Sequence, residues 1–335
     1  MKVSIRDISK ITGYSTATVS NALNNKRGVN RETAAEILRV AKETGYINEN
    51  VVSKIKLVMF RKNGSIIDNT PFFPALIEGF EQECRKCGYE MVMCNVDQRE
   101  EDYQERVELL LNEVGSAIVV LATEMMDGDL DVYLHAACPL LIMDCWSEHM
   151  CFNTVLINNE DSVRMAIGYL VKKGHKRIGY ISSSFRIKNF RQRFYGYQTA
   201  LRKFDLEYDE QDVFTVTPNT NGAYRDMLRH LEVQDDLPTA FFADNDLMAL
   251  GAMKAFQEKG YRIPEDISII GFDDLPFSQI STPSLTTLRV PNTEMGKLAV
   301  SRIVDMIDKR DSAIVKIQVG TEFIVRETVK ELDVS

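Results

Sequence analysis

Two adjacent carboxylates, Asp273 and Asp274, offer the most obvious acid–base chemistry in the sequence. They follow the apolar run 267–272, which predicts a strand, and neighbouring side chains of a strand point to opposite sides. Such a pair is poorly placed to face one scissile bond, as catalytic carboxylates must. The sequence also lacks a phosphate-binding loop, a G-x-G-x-x-G run and a G-x-S-x-G motif. We therefore predict that the protein is not an enzyme.

Cys84 and Cys87 have the C-x-x-C spacing found in zinc sites. A structural zinc ion needs about four ligands, but the sequence has no second C-x-x-C pair and its four histidines are scattered. Both cysteines also lie within the helical pattern of residues 75–88. Two reduced thiols are therefore the favoured interpretation, and neither a metal ion nor a cofactor is predicted.

The length of 335 residues suggests two or three domains. Hydrophobic residues make up 44% and charged residues 27%, which is typical of a folded globular chain and excludes disordered and collagen-like classes. No apolar run reaches the ~18 residues of a membrane helix. The N-terminus lacks the apolar segment of a signal peptide. We therefore predict a cytoplasmic protein whose six cysteines are free thiols.

Positive charge is concentrated at the N-terminus. Residues 1–56 contain ten lysines and arginines against five acids, whereas the whole chain has a net charge of −9. A basic end on an acidic body is expected when that end binds a polyanion such as DNA, although chance clustering is an alternative.

The first fifty residues have the periodicity of three short helices. Ser4 and Asp7 form a capping-box pattern before the first helix. A second helix begins at Ser15 or Thr16, a third begins after Asn30, and a tight turn separates the first two. This arrangement is typical of a helix-turn-helix unit. The second helix presents small polar side chains that can reach base edges in a major groove, unless the segment is merely a small helical bundle.

This segment resembles the DNA-binding headpiece of the lactose-repressor/galactose-repressor family. The similarity rests on residues 5–10, on the run Ser-Thr-Ala-Thr-Val-Ser at 15–20, and on Gly45-Tyr46. It implies a recognition helix on which Thr16 and Ala17 occupy the positions that largely set operator choice. The DNA-binding residues that we predict in the headpiece are Ser15, Thr16, Ala17, Thr18, Ser20, Asn21, Asn24 and Tyr46.

From residue 55 onward, short apolar runs alternate with helical patterns, which predicts doubly wound parallel sheets in two lobes. The family resemblance continues in order along this body. The predicted fold class is therefore α/β, with a two-lobed periplasmic-binding-protein-like sensor, an all-α headpiece and assembly as a homodimer. The predicted boundaries are 1–48 for the headpiece, 49–56 for a hinge, 57–157 and 290–320 for lobe 1, and 158–289 and 321–335 for lobe 2.

The resemblance also implies where an effector binds. In the family, aromatic positions stack on the effector, an arginine grips its polar groups, and aspartates at strand ends accept its hydrogen bonds. These chemistries suit a small polar molecule. The matching residues are Phe72, Phe73, Asp144, Arg193, Asn245 and Asp273.

Each of these residues has a structural alternative. The two phenylalanines could belong to the core, and Asp144 could cap a loop. Asn245 could only cap a helix, and Asp273 could form an ion pair with Arg289. Their position after strands favours the functional interpretation, because doubly wound sheets bind ligands at that edge.

The sequence thus predicts a transcriptional regulator, most simply a repressor, controlled by a small-molecule effector. A carbohydrate suits the predicted cleft slightly better than a nucleobase. One alternative is a sensor that answers to a protein partner. Another is a cytosolic sugar-binding protein or enzyme with a vestigial headpiece.

The connection between headpiece and sensor departs from the family pattern. Many relatives carry an Asn-x-x-Ala-Arg-x-Leu segment, which folds on DNA and inserts leucines into the minor groove. The run 48–55 lacks the Ala-Arg pair, and Ile55 is its only plausible wedge. If Ile55 instead begins the first strand, no side chain remains to unstack the central base step.

Operator affinity should fall steeply with salt. Two basic headpieces are expected to neutralise roughly 6–10 phosphates, so log affinity against log salt should have a slope steeper than about −4. The measurement is fluorescence anisotropy on a duplex selected from a random-sequence library. A slope near zero would contradict DNA binding.

Overall fold

The computed structural model describes residues 3–23, 29–44, 46, 52–147, 150–309 and 311–332. Within these residues, no helix combines the length and the apolar composition that crossing a bilayer requires.

The N-terminal segment contains three helices, α1 (Ile5–Thr12), α2 (Thr16–Leu23) and α3 (Arg31–Glu43). The Asp7 carboxylate accepts hydrogen bonds from the Ser4 N–H (2.9 Å) and the Ser4 hydroxyl (2.6 Å), which fixes the start of α1. The helices enclose a core of their own, and the predicted helical headpiece is confirmed. Its fully or largely buried residues are Ile8, Val19, Ala22, Ile37, Val40 and Ala41.

Six parallel strands form the first sheet: β1 (Lys54–Arg61), β2 (Glu90–Asp97), β3 (Ser116–Leu121), β4 (Leu140–Met143), β5 (Asn153–Ile157) and β11 (Lys316–Val319). Their order is β11-β5-β4-β3-β1-β2. Helices α4 (Phe73–Cys87), α5 (Tyr103–Leu111) and α11 (Asn292–Asp308) pack against these strands. Every residue of β3 is buried, as expected for a parallel sheet covered on both faces.

Close packing of α4 against α11 depends on glycine. A Cβ at Gly79 would lie 2.0 Å from the Thr293 carbonyl oxygen, and one at Gly296 would lie 2.2 Å from the Leu76 carbonyl oxygen. No side chain larger than hydrogen fits at either position without separating the helices. This contact secures α11, which comes from the C-terminal part of the chain, to the first sheet.

Four parallel strands form the second sheet: β6 (Ile178–Ser183), β7 (Val213–Val216), β8 (Ala240–Ala243) and β9 (Ser268–Ile270). Their order is β7-β6-β8-β9. The accompanying helices are α6 (Asn159–Lys172), α7 (Lys188–Lys203), α8 (Thr220–Val233), α9 (Asp246–Glu258) and α10 (Pro276–Ile280). A separate antiparallel pair joins β10 (Thr287–Arg289) to β12 (Glu322–Ile324).

The predicted α/β class with parallel sheets is confirmed. Sequence patterns placed eight of these strands to within a few residues, but they did not identify β5, β10, β11, β12, α10 or α11. The first strand begins at Lys54, one residue before the apolar run that predicts it, so residues 54–56 of the predicted hinge belong to the sheet.

The prediction that Ile55 wedges into the minor groove is wrong. Ile55 is fully buried inside β1, where it is aligned with Met91 of β2 and Ala117 of β3. Withdrawing it from this position would break strand pairing on both sides and expose the core. The alternative, that Ile55 belongs to the first strand, describes the structure.

Replacing Ile55 by alanine tests its structural role. Because the side chain is fully buried, we expect the variant to lose about 2–5 kcal/mol of unfolding free energy, measured by urea denaturation. Val233→Ala is the control, since Val233 is 85% exposed and its truncation should cost less than about 0.5 kcal/mol. A stable Ile55→Ala protein that no longer bends its operator would restore the wedge interpretation.

Candidate functional site

A cavity lies among residues that follow strands of both sheets. Thr123 and Asp144 come shortly after β3 and β4, and Asn245 and Asp273 shortly after β8 and β9. The carboxyl ends of parallel strands are where such sheets bind ligands. The cavity brings together all six residues predicted to bind an effector: Phe72, Phe73, Asp144, Arg193, Asn245 and Asp273. We call this space the effector cleft.

The two aspartates of the cleft have unusual backbone conformations. Asp144 has a φ of 60° and Asp273 a φ of 113°, in the left-handed region that residues other than glycine rarely adopt. Such conformations persist where the surrounding structure enforces them, often at binding sites. Burial raises the pKa of both carboxyls. The Thr123 hydroxyl donates to Asp144 Oδ2 at 2.6 Å, which favours the ionised form of that carboxyl.

The Arg193 guanidinium occupies the centre of the cleft wall. Its side chain is 3% exposed, and its Cζ atom lies 3.5 Å from the centre of the Phe272 ring. Arg193 Nε donates to Asn159 Oδ1 at 2.8 Å, and Nη1 donates to the Asp244 carbonyl oxygen. Nη2 lies 3.6 Å from Asp273 Oδ1. The side chain is therefore held in place before any ligand is present.

The suggested ion pair between Asp273 and Arg289 does not form. Arg289 Nε donates instead to Asp274 Oδ2 at 2.7 Å, and Arg326 Nη2 donates to Asp274 Oδ1 at 2.6 Å. Asp274 therefore has the structural role, and the Asp273 carboxylate faces Arg193 in the cleft.

Asn245 caps the N-terminus of α9 and also lines the cleft. Its Oδ1 atom accepts a hydrogen bond from the Met248 N–H at 3.0 Å, so the capping alternative is correct for this oxygen. The neighbouring Asp246 accepts hydrogen bonds from the Ser278 and Thr287 hydroxyls, both at 2.6 Å. Burial raises the pKa of Asp246 to about 6. Asp246 anchors the segment after β9, and it does not border the cleft.

Phe72 and Phe73 belong to both the core and the cleft. Their side chains are 5% and 4% exposed, and their ring centres lie 5.2 Å apart in an edge-to-face arrangement. Asn292 Nδ2 donates to the Phe72 carbonyl oxygen at 3.0 Å, which links α11 to this wall. The core interpretation of the two rings and the binding interpretation are therefore compatible.

Sequence reasoning missed Asn189, which ties the two sides of the cleft together. Asn189 Nδ2 donates to Asp144 Oδ1 at 2.8 Å and to the Asp144 carbonyl oxygen at 3.1 Å. Its Oδ1 atom accepts from Asn159 Nδ2 at 3.1 Å. Asn189 lies four residues before Arg193 on α7, so helical spacing would have placed it on the same face.

A buried carboxylate positions the loop that follows β1. Glu124 is fully buried and accepts five backbone hydrogen bonds of 2.7–3.1 Å from this loop. The loop carries Ile66 into the cleft wall, where Ile66 packs with Ile187 and Phe190 from the other side. Glu124 therefore fixes the position of the loop that makes this contact across the cleft. The donors are the N–H groups of Lys62, Asn63, Gly64, Ile66 and Ile67.

The cleft is nearly closed. Its free volume is about 30 Å³, which holds about one water molecule. A molecule the size of a sugar or a nucleobase does not fit into this volume.

Helix α2 displays part of the predicted nucleic-acid interface. Ser15, Thr16 and Ala17 are exposed, and the other predicted residues of the helix are half-buried: Thr18, Ser20 and Asn21. Ser15 Oγ accepts from the Thr18 N–H at 3.1 Å, so Ser15 caps the helix. Thr16 and Ala17 lie on the exposed start of the helix, where a DNA groove can contact them.

Three other predicted DNA contacts lie outside this surface. Tyr46 is half-buried against the headpiece core. Ile55 is buried in β1, as described above. Asn24 is outside the described residues.

The C-x-x-C cysteines lie on α4, as the helical pattern predicted. Cys84 is buried and Cys87 is half-buried. Burial raises the pKa of the Cys84 thiol to about 12, so it stays protonated at neutral pH. The described part of the chain contains no group of side chains suited to holding a metal ion.

Replacing Asn189 by alanine should loosen the cleft. The substitution leaves the buried Asp144 carboxylate without its amide donor, and we expect a loss of about 1–3 kcal/mol in unfolding free energy, measured in urea. Asn112→Ala is the control, because Asn112 is an exposed amide at the end of α5. Equal stability of the two variants would mean that the Asp144–Asn189 contact contributes nothing.

Comparison with known proteins relates both parts of the chain to one family. Residues 4–49 match the profile described as bacterial regulatory proteins, lacI family, and residues 167–329 match that of a periplasmic binding protein-like domain. The HTH-type transcriptional repressor PurR of Mannheimia succiniciproducens is 30% identical over 331 residues, 98% of this chain and 99% of the relative. PurR of Pasteurella multocida is 31% identical over 329 residues, 97% of this chain and 98% of the relative.

Solved structures share the fold over nearly the whole chain. A complex of the transcriptional regulator CelR with cellobiose has a TM-score of 0.75 at 23% identity, covering 98% of this chain and 100% of that one. The lac repressor dimer bound to operator and the anti-inducer ONPF has a TM-score of 0.73 at 22% identity, with the same coverage. These structures show the fold. The lacI-family profile together with the sequence relatives shows that the chain belongs to the lacI family of bacterial regulatory proteins.

Proposed function

We propose that this chain is a homodimeric transcriptional repressor that binds a pseudo-palindromic operator and a small-molecule effector. The observation that carries the proposal is the convergence of six effector-binding candidates on one cleft, in a chain whose headpiece exposes the start of α2. Relatives named as repressors over nearly the full length support the regulatory role. A repressor acts on the chromosome, so we place the protein in the cytoplasm.

The wall of the cleft favours an effector rich in hydrogen-bond donors. Asp144 and Asp273 offer acceptor oxygens, Arg193 offers donors, and Phe72 and Phe73 offer apolar ring faces. A carbohydrate supplies hydroxyl groups for the aspartates and the arginine and C–H faces for the phenylalanine rings, and it is our first candidate. A purine-related compound is the second, because relatives that match almost the whole chain carry the name PurR.

Two ligand panels distinguish these candidates. Thermal-shift measurements on the full-length protein should give a rise in melting temperature with the true effector, because a ligand that binds only the folded state stabilises it. Sugars test the first candidate, and purine bases and nucleosides test the second. No response to either panel, with a response to a carrier protein, would favour a sensor that answers to a protein partner.

DNA binding has its own test. A chain that lacks residues 1–51 keeps β1 intact and loses the headpiece, so it should no longer bind the selected duplex. Equal binding by the full-length and shortened chains would mean that the headpiece is vestigial.

Arg193→Ala and Asp273→Ala should each weaken effector binding by about 2–4 kcal/mol, because partners in the cleft are left unpaired. DNA binding without effector should change little. Isothermal titration calorimetry measures the first effect, and anisotropy on the selected duplex measures the second. The control is Arg202→Ala, which removes an exposed arginine from the same helix. Effector affinities equal to wild type in both cleft variants would show that the effector binds elsewhere.

A further inference from the structure

A second and larger cavity adjoins the effector cleft. Ile157 borders both spaces, but the second has a volume of about 290 Å³ compared with about 30 Å³ for the cleft. This volume is close to the lower end of the range for small-molecule sites, about 300 Å³. None of the six effector-binding candidates borders it. We call it the hinge cavity, because it lies where the chain passes from β5 into α6.

Polar side chains from separate elements converge on the hinge cavity. Glu160 belongs to α6, Gln192 to α7 and Gln318 to β11, and the Trp146 ring supplies an aromatic wall. Among the described residues, these three polar side chains have no hydrogen-bond partner. Their donors and acceptors are therefore available to a ligand.

The chemistry of this wall indicates the class of ligand. An indole ring beside amides and a carboxylate matches the apolar C–H face and the hydroxyl groups of a polyhydroxyl compound. The lining contains two acidic residues, Glu160 and Asp161, and no lysine or arginine. Just outside the lining, Arg164 pairs with Asp161, and the Lys316 Nζ atom lies 4.8 Å from the centre of the Trp146 ring. Burial raises the pKa of Glu160, which also indicates an environment unfavourable to further negative charge. Because the Glu160 carboxylate lies in the wall itself and Lys316 lies outside the lining, a neutral ligand suits the cavity better than an anionic one.

Asn159 connects the hinge cavity to the effector cleft. It borders the hinge cavity, accepts from Arg193 Nε at 2.8 Å, and donates to Asn189 at 3.1 Å. Gln318 belongs to the first sheet, whereas Gln192 is on α7, which packs with the second. A molecule that contacts both glutamines is therefore sensitive to how the two sides of the protein are arranged.

We propose that the hinge cavity is a second binding site, specific for a neutral polyhydroxyl molecule of monosaccharide size. Its ligand bridges Gln318 on one side and Gln192 and Glu160 on the other, with the Trp146 ring against its apolar face. By linkage, a ligand that prefers one arrangement of the two sides changes effector affinity, and the effector changes the affinity of the hinge cavity to the same extent. The proposal does not depend on the identity of the effector.

Trp146 provides a direct probe, because it is the one tryptophan in the chain. Its emission is followed while the full-length protein is titrated with D-glucose, D-galactose, D-ribose and myo-inositol, and with D-glucuronate as the charged comparison. We expect a saturable change with at least one neutral compound and none with the glucuronate. Gln318→Ala should weaken this binding roughly tenfold or more, whereas the exposed control Gln82→Ala should leave it unchanged.

Three results would overturn the second site. One is the absence of a saturable change with all four neutral compounds at concentrations up to tens of millimolar. Another is equal affinity in wild type and Gln318→Ala. The third is loss of binding in Asp273→Asn with retention in Gln318→Ala, which places the ligand in the effector cleft and leaves the proposed function intact.

Discussion

The arrangement of the cleft depends on the buried guanidinium of Arg193. Burial opposes ionisation of every aspartate around it and raises the pKa of each. The charge of Arg193 is the main counteracting influence at Asp273. It also contributes at Asp144, and at Asp244 it acts after Arg186, which pairs with that carboxylate. An uncompensated group of buried carboxylates is costly, so the arginine must stay close to them. The four buried aspartates of this region are Asp144, Asp244, Asp246 and Asp273.

Contacts that hold Arg193 also hold the two sides of the protein together. Asn159 binds both Arg193 and Asn189, and Asn189 reaches across to Asp144. Ile66 makes an apolar contact across the same cleft. These groups fill the space between the sheets. Under the proposed function, an effector displaces some of them, and the same hydrogen bonds couple its binding to the arrangement of the lobes.

The headpiece is organised independently of this system. Its three helices share a core that does not include residues of the sensor. The sensor already begins with β1 at Lys54, so little chain is available to connect the two parts. With Ile55 committed to the sheet, the side chain that was expected to reach DNA is part of the sensor core instead.

Local patterns were enough to predict the headpiece helices and the succession of βα units, because helical and strand periodicity appear within a few residues. The residues of the cleft came from the family resemblance and not from periodicity. The short strands β10 and β12 escaped notice, since three residues cannot display a period. Family resemblance selected Asp273, but only long-range contacts distinguished it from Asp274, which Arg289 and Arg326 engage. The roles of Ile55 and Asn189 likewise depend on residues far away in the chain. Ile55 is buried between two neighbouring strands, and Asn189 forms a hydrogen bond across the cleft to Asp144.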